Sequence, residues 1–327
     1  MNLRWLISRR REYKVVKLIP IRFSKPVVPD DIKDSSLEQR LVKELEENKI
    51  EIEEKDILVI TSKIVSLLEG NAVQISSIKP RWRIKFLSKL FSIDSHRLEL
   101  VFREGKVLGI VPLRRIMNDK FIRNFYLKHS RDIKATQEML RKNFVNVPMT
   151  NKLGLIFDNG GIDGSNVPEG FLVPLPKDPC LSAKKIRDYI RRKYNKNVAV
   201  VVTDTLSVPN RTGALDVCVG CSGIYPITVN ESGPDLFKPN KFGGNVVVVD
   251  AVAAIGGAVM GGNTELTPVI IVRGFEYKFW EDKGDCEEYQ SIISFPMRSK
   301  IKAGFYTVLN TILFKLAQFF LFLKSGR

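Results

Sequence analysis

The sequence is sparing with the side chains from which metal and hydrolase chemistry is most often built. Among its 327 residues are two histidines, His96 and His129, and four cysteines, Cys180, Cys218, Cys221 and Cys286. So few histidines argue against a His-ligated zinc enzyme and against a His-centred triad. So few cysteines cannot make a disulfide scaffold, and they point to a reducing, cytoplasmic setting. Cys218-Val219-Gly220-Cys221 is a CxxC with no second pair to complete a zinc site, so both cysteines read as small core residues. The sequence has no G-x-x-x-x-G-K-S/T and no strand-borne G-x-G-x-x-G, which excludes a P-loop and disfavours a Rossmann dinucleotide site. No apolar stretch follows Arg9-Arg10-Arg11, so Met1 to Lys14 does not read as a secretory signal.

What is present belongs to a folded protein. Apolar residues make up 44% and charged residues 27%, with length enough for one large domain or two ordinary ones. The net charge of +16 is unevenly spread. Residues 1–26 hold eight Lys/Arg against one Glu, residues 291–327 hold six and no acid, and residues 151–275 hold thirteen against eleven. The excess thus sits mostly at the two ends, where phospholipid or nucleic acid would meet it. Gly304–Leu323 is a mostly apolar run of twenty residues. Its polar positions Thr307, Asn310, Thr311, Lys315 and Gln318 recur at helical steps opposite Phe305, Ile312, Leu316 and Phe319. That pattern is an amphipathic helix, either lying on a membrane surface or packed within the protein or a dimer partner. Lys315 in its middle disfavours a span.

Alternating strands and helices predict an α/β or α+β fold. Strands are expected at Val15–Phe23, Asp56–Thr61, Leu98–Phe102, Val107–Pro112 and Val198–Thr203. Val246–Val249 and Val269–Val272 are further buried apolar runs, separated by the small residues Ala251–Gly262. Helices are expected from a Ser35/Glu38 capping box to about Asn48, and over Ser62–Glu69, Asp132–Phe144 and Ser182–Tyr194. Residues 79–92 carry Arg81, Trp82, Arg83, Lys85 and Lys89 among apolar positions, a basic amphipathic helix.

Three loops follow apolar runs, where ligand groups gather in α/β architectures. Asp158–Asn166 is rich in Gly and Asn and offers Asp163 and Asn166 as oxygen and amide groups. Thr203-Asp204-Thr205 sets a carboxylate beside hydroxyls, suited to a divalent cation carrying phosphate. Gly256-Gly257 through Asn263 offers backbone N–H groups. Each also has a plainer use: Asp163 as a turn residue, Asp204 as a cap, the small residues as close helix packing.

Taken in order, the motifs do more. Asp56-Ile-Leu-Val-Ile-Thr-Ser-Lys-Ile-Val-Ser, Asn159-Gly-Gly-Ile-Asp-Gly-Ser-Asn166, Thr203-Asp-Thr205, Arg211-Thr-Gly213, Met260-Gly261 and Val272-Arg273-Gly274 form an ordered set. Over about residues 15–275 the chain resembles the γ-glutamyl ligase family of deazaflavin coenzyme biosynthesis, coenzyme F420-0:L-glutamate ligase. The resemblance implies an F420-0 gamma-glutamyl ligase-like fold, α/β of the α+β type with mixed sheets, that forms a homodimer. It implies a GTP-dependent, Mg2+- or Mn2+-dependent ligase, with K+ as a candidate further ion. In that family an acyl phosphate is formed and then attacked by the amine of L-glutamate. Substrates would be GTP, L-glutamate and an F420-0-like acceptor. Asp163, Asp204 and Thr205 would ligate metal. Leu18, Ile19, Pro20, Ile21, Ser62, Asn166, Met260 and Gly261 would lie at the nucleotide, and Asp204 and Arg211 would be catalytic.

The chain departs from the family pattern at three places. Leu206-Ser207-Val208 follows Asp204-Thr205 where the family has Gly-Arg, Leu67 replaces a lysine, and Ala251 replaces an acid after Asp250. An alternative is therefore a catalytically degenerate relative that binds nucleotide or a membrane or partner surface. Specific nucleic-acid binding is not expected, since no RNA-binding motif matches. The expected layout is a basic segment at 1–14, the ligase-like domain at 15–275, a linker at 276–300 and a C-terminal helix at 301–327. That helix would allow peripheral contact with the inner membrane surface.

Overall fold

The computed structural model describes residues 15–33, 36–141, 146–208, 211, 213–228, 237, 245–293 and 309–313. In chain order the first elements are β1 (Lys17–Ile21), α1 (Leu37–Glu47), β2 (Ile57–Thr61), α2 (Ser62–Leu68) and β3 (Val73–Gln74). Next come α3 (Trp82–Phe91), α4 (Ser95–Glu104), β4 (Lys106–Val111), α5 (Leu113–Ile116), α6 (Lys120–His129) and α7 (Ile133–Arg141). They are followed by β5 (Val147–Lys152), β6 (Leu155–Asp158), β7 (Phe171–Leu172), α8 (Pro179–Tyr194) and β8 (Ala199–Ser207). The last are β9 (Ala214–Ile224), α9 (Val248–Met260), β10 (Val269–Arg273), β11 (Phe279–Trp280) and α10 (Cys286–Ile293).

A six-stranded mixed sheet in the order β1-β10-β2-β8-β9-β11 forms the body. β2 and β8 run parallel and the other neighbours antiparallel. β4-β5-β6 make a second, antiparallel sheet. The mixed-sheet α/β architecture is thus the one expected. The unbroken apolar runs explain it, because strands buried on both faces have no polar side to alternate with. Leu58 and Ile60 face one core with Leu41 and Leu45 of α1 and Ile186 and Ile190 of α8. Ile57 and Val59 face the other with Val249 and Val252 of α9. Each such side chain contributes about 1.5–3 kcal/mol on burial.

Four expectations are corrected. The α1 cap is Ser36, whose Oγ accepts the Gln39 N–H at 3.3 Å while Gln39 Oε1 accepts the Ser36 N–H at 3.0 Å; Ser35 lies outside the described residues. Leu98–Phe102 is part of helix α4, capped by Asp94, which accepts the Arg97 N–H at 2.8 Å. Its polar position Glu99 mimics a strand's solvent face but is buried and held by Arg81 and Arg103. Val248 and Val249 open helix α9, burying with Val252, Ala253 and Gly256 at helical spacing against the sheet. Most of the small-residue segment is therefore helix, and its loop begins at Gly261.

The fourth correction concerns 276–293, which is not a linker. β11 extends the sheet by pairing with β9, and Tyr289 of α10 is fully buried, donating to the Cys218 carbonyl at 3.2 Å. Asp282 sits inside, accepting from Arg187 Nη1 at 2.8 Å, Gly223 N–H at 2.8 Å and Gly284 N–H at 2.9 Å. Helix α3 forms as expected, with Ile84 inward but Trp82, Phe86 and Leu90 exposed beside its basic residues. The 1–14 segment lies outside the described residues, as does 301–327 apart from the helical residues 309–313. Among the described residues no helix is long and apolar enough to cross a membrane.

If Asp282 ties the segment after Gly274 to the core, Asp282→Ala strips the buried Arg187 of its one fully buried carboxylate, leaving the longer 3.4 Å contacts with Asp188 and Glu281, and costs about 3–5 kcal/mol. The neighbouring exposed Glu281→Ala costs under about 1 kcal/mol. Urea unfolding measures both, and equal costs would contradict the assignment.

Candidate active site

The register of β2 and β8 decides where polar side chains gather. Thr61 and Thr203 end the matched stretch side by side. Beyond them β2 turns at once into α2, which opens with Ser62 and Lys63, while β8 continues through Asp204 and Thr205. The β8–β9 hairpin sets Asp216 opposite Thr205, and the Thr205 hydroxyl lies 2.6 Å from Asp216 Oδ1 as its donor. From the other side a loop brings Asp163, its backbone pinned by two 2.8 Å hydrogen bonds with Val173.

The two aspartates sit in opposite electrostatic balances. Lys63 Nζ lies 2.7 Å from Asp163 Oδ2, and the Ser165 N–H and hydroxyl donate to Oδ1 at 2.6 and 2.8 Å. Burial raises the Asp163 pKa, but Lys63 and Ser165 outweigh it and hold the carboxyl below its usual range. At Asp204 burial, followed by the charges of Asp163 and Asp216, pushes the carboxyl up to about 7. Hydrogen bonds from the Thr205 N–H and the Ser62 hydroxyl offset only part of this. Three carboxylates therefore crowd one wall, with Lys63 as their paired cation.

That wall separates two hollows. One is a cleft of about 770 Å³, within the range of small-molecule sites. Lys25, Lys63, Asn166, Met260 and Gly261 line it together with the acidic residues. The other, of about 370 Å³, is lined by Arg97, Asp158 and Gly161, and Asp163, Ser165, Asp204 and Thr205 border both. Asn166 adopts a left-handed φ of 50° and its Nδ2 donates to the Gly262 carbonyl at 3.3 Å, joining the two loops. Gly257 has its own reason: a Cβ there would overlap the Asp216 carboxylate.

The expected site residues divide accordingly. Asp163, Asn166, Asp204, Thr205, Met260 and Gly261 come together, with Ser62 buried beneath Asp204. Leu18, Ile19, Pro20 and Ile21 do not reach the cleft; they form β1 against β10, and the chain after them, from Phe23 to Val28, supplies the wall. Arg211 is exposed on the β8–β9 connection and lines neither hollow. Lys63, Asp216 and Arg97 were not anticipated. Lys63 carried a signal, a lysine at an abrupt strand-to-helix junction; Asp216 and Arg97 become visible only through hairpin register and the packing of α4. The departures also have places: Leu67 is buried in the core, Leu206 packs against it, and Ala251 is exposed.

The family model for F420-0:Gamma-glutamyl ligase matches residues 29–274. The chain belongs to this family. It is similar to the coenzyme F420:L-glutamate ligase of Methanothermobacter thermautotrophicus, 30% identical over 237 residues, covering 72% of this chain and 82% of that protein. The protein of the same description from Methanocaldococcus jannaschii is 30% identical over 233 residues, covering 71% and 81% respectively. That from Methanopyrus kandleri is 27% identical over 249 residues, covering 76% and 86%. The family match ends at Gly274, so β11 and α10 follow it.

The crowding has a measurable cost in the metal-free protein. With Asp204 titrating at about 7 against an ordinary 3.8, its protonated form stabilises the fold at low pH, and that contribution is lost as pH rises through 7. Metal-free Asp204→Asn should be more stable than the parent at pH 8 by up to about 4 kcal/mol, the gap closing towards pH 4. Melting curves across that range decide it; a parent no less stable than the variant at pH 8 contradicts the crowding.

Proposed function

We propose that this protein forms a γ-glutamyl amide bond between L-glutamate and a carboxylate of F420-0 or a related acceptor, using GTP and a divalent cation. The observation that carries the proposal is the acidic wall shared by two hollows, on a chain of this family. A two-substrate ligase needs the phosphate donor and the acceptor carboxylate to meet at one point. Here Asp163, Asp204 and Thr205 border both spaces.

The donor set suits a hard cation. Asp163, Asp204 and Asp216 offer carboxylate oxygens beside the Thr205 hydroxyl, and negative charge exceeds the single paired lysine. Asp163, Asp204 and Thr205 are the residues that would hold Mg2+ or Mn2+, which supplies neutralisation of phosphate charge when bound. The protein's own groups do the rest. Lys63 and Ser165 fix the Asp163 carboxylate, and Ser62 orients Asp204 from below. Asn166, donating to the Gly262 carbonyl, ties together the two loops on either side of the cleft. The acceptor carboxylate attacks the γ-phosphorus and GDP leaves; the glutamate amine then attacks the acyl carbon and phosphate leaves.

Arg97 is the cation we offer in place of the missing Gly-Arg pair. Arg97 faces the smaller hollow, its guanidinium packed against Gly164. We assign it to an anionic group of the acceptor or of L-glutamate. Arg211 lines neither hollow, and we assign it no such role.

The test is protein, Mn2+, GTP, L-glutamate and the deazaflavin acceptor, read by mass spectrometry. A product heavier by one glutamyl group is expected, reduced about 100-fold or more in Asp204→Ala. Arg97→Ala should raise a substrate KM by about 10- to 100-fold, and Arg211→Ala should change it less than about twofold. GTP binding without product would favour the degenerate relative, and neither product nor nucleotide binding would end the ligase reading.

A further inference from the structure

All four cysteines of the chain converge on one half of the core. The β8–β9 register slips by one residue between Val202 and Thr203, leaving Val219 unpaired. Cys218 and Cys221 consequently join the same cluster, with Cys180, while Val219 faces the other core. Cys286, partly buried, packs against that cluster from α10. The CxxC is therefore not the notable pair. Cys180 is the second residue of α8 and Cys286 opens α10, and their Sγ atoms and a carboxylate oxygen of Asp178 lie within 4.8 Å of one another.

We propose that Cys180, Cys286 and Asp178 bind a thiophilic divalent cation of the zinc class, fastening α10 to the start of α8. Sulfur at about 2.3 Å and carboxylate oxygen at about 2.0–2.2 Å from tetrahedral zinc leave the donors roughly 3.5–4 Å apart. Side-chain adjustments of under about 1 Å close the present set to that spacing. The neighbouring Cys180 thiol and burial hold the Cys286 thiol protonated, so a bound ion itself would have to draw the protons off. The Cys180 N–H donates to Cys286 Sγ at 3.3 Å, and both cysteines stand in the first turn of a helix, at its positive end. Asp178 Oδ1 accepts the Leu181 N–H at 3.0 Å, which orients the carboxylate. Cys180 is buried and Cys286 only partly so, which gives the ion a way in and leaves the fourth corner to water.

On binding, the two thiol protons pass to solvent as two metal–sulfur bonds form, and the site carries one net negative charge. The site is separate from the cleft, which offers carboxylates and hydroxyls but no thiol, so ligand softness sorts two ions between two places. Its structural use follows from α10 itself. That helix has eight residues, one of them, Tyr289, fully buried, and a helix so short depends on what fastens it. Asp178 and Cys180 lie within the family-matched stretch and Cys286 beyond it, so the ion would join the two.

Full-length protein, stripped with chelator under reductant, is titrated with Co2+ as a spectroscopic probe. We expect a sulfur-to-cobalt charge-transfer band that saturates at one equivalent and is displaced by Zn2+. The band should be lost in Cys180→Ser and Cys286→Ser but kept in Cys218→Ser and in Asp204→Ala, which separates it from the cleft. Zn2+ should raise the Tm of the parent and not that of Cys286→Ser, whose partly exposed position spares the fold. No band, a band that survives Cys286→Ser, or a Cys180–Cys286 disulfide in freshly isolated protein would each overturn the proposal.

Discussion

The parallel pairing of β2 with β8 is the constraint on which the rest of the structure depends. It is the one parallel contact in the six-stranded sheet, and both strands are buried on both faces. A slip of one residue would exchange every side chain between the two cores, so the register is strongly held. Because the register holds, Thr61 and Thr203 stand level, and Ser62 and Asp204 follow them next to each other. Parallel strands place their C-terminal ends on one edge, and a helix that starts there turns its free N–H groups and its lysine towards the same point. The candidate site is thus a consequence of strand register rather than of any loop acting alone.

What the register gathers is electrostatically expensive. Asp163, Asp204 and Asp216 approach one another, and among the described residues only Asp163 is matched by a cation at close range. Gly257 removes the side chain that would otherwise hold Asp216 away. Gly256, on the same helix, lets α9 settle on Val59, where a Cβ would come within 2.6 Å of Val59 Cγ1. Two adjacent glycines therefore serve different ends, one core packing and one charge placement. Unmatched charge of this kind persists where a ligand is to complete it, and it lowers the stability of the protein without that ligand.

Much of this was legible in the sequence, and the misses share a cause. Apolar runs such as Ile57–Ile60 and Val198–Val202 declare strands buried on both faces because they are short, unbroken and mostly β-branched. The ordered motifs declared Asp163, Asn166, Asp204 and Thr205 together, although each alone had a plainer explanation. The errors fell where tertiary contacts override local preference. Glu99 passes for a solvent-facing strand position until Arg81 and Arg103 are brought to it from outside its own turn or from four residues on. Val248-Val249 has strand propensity, and only the sheet face beneath it makes the helix. Arg211 and Leu18–Ile21 were transferred by position in the chain, whereas reaching the cleft depends on where the backbone turns.

The stretch after Gly274 is best understood from the sheet's edge. β9 runs for eleven residues, and without β11 its far side would present unpaired backbone groups, the usual template for unwanted strand pairing. Phe279 and Trp280 cover two of those positions, too few to hold by ladder bonds alone. The cover persists because it is fixed at points beyond the ladder. Asp282 binds Ser222 and Gly223 of β9 together with Arg187 of α8, and Tyr289 reaches under β9 to the Cys218 carbonyl. Cys286 then stands against Cys180, so the same short stretch is anchored to strand, helix and core in turn. Pinned at this end, β9 lies between its short cover and β8, and its pairing with β8 is what sets Asp216 opposite Thr205 at the site.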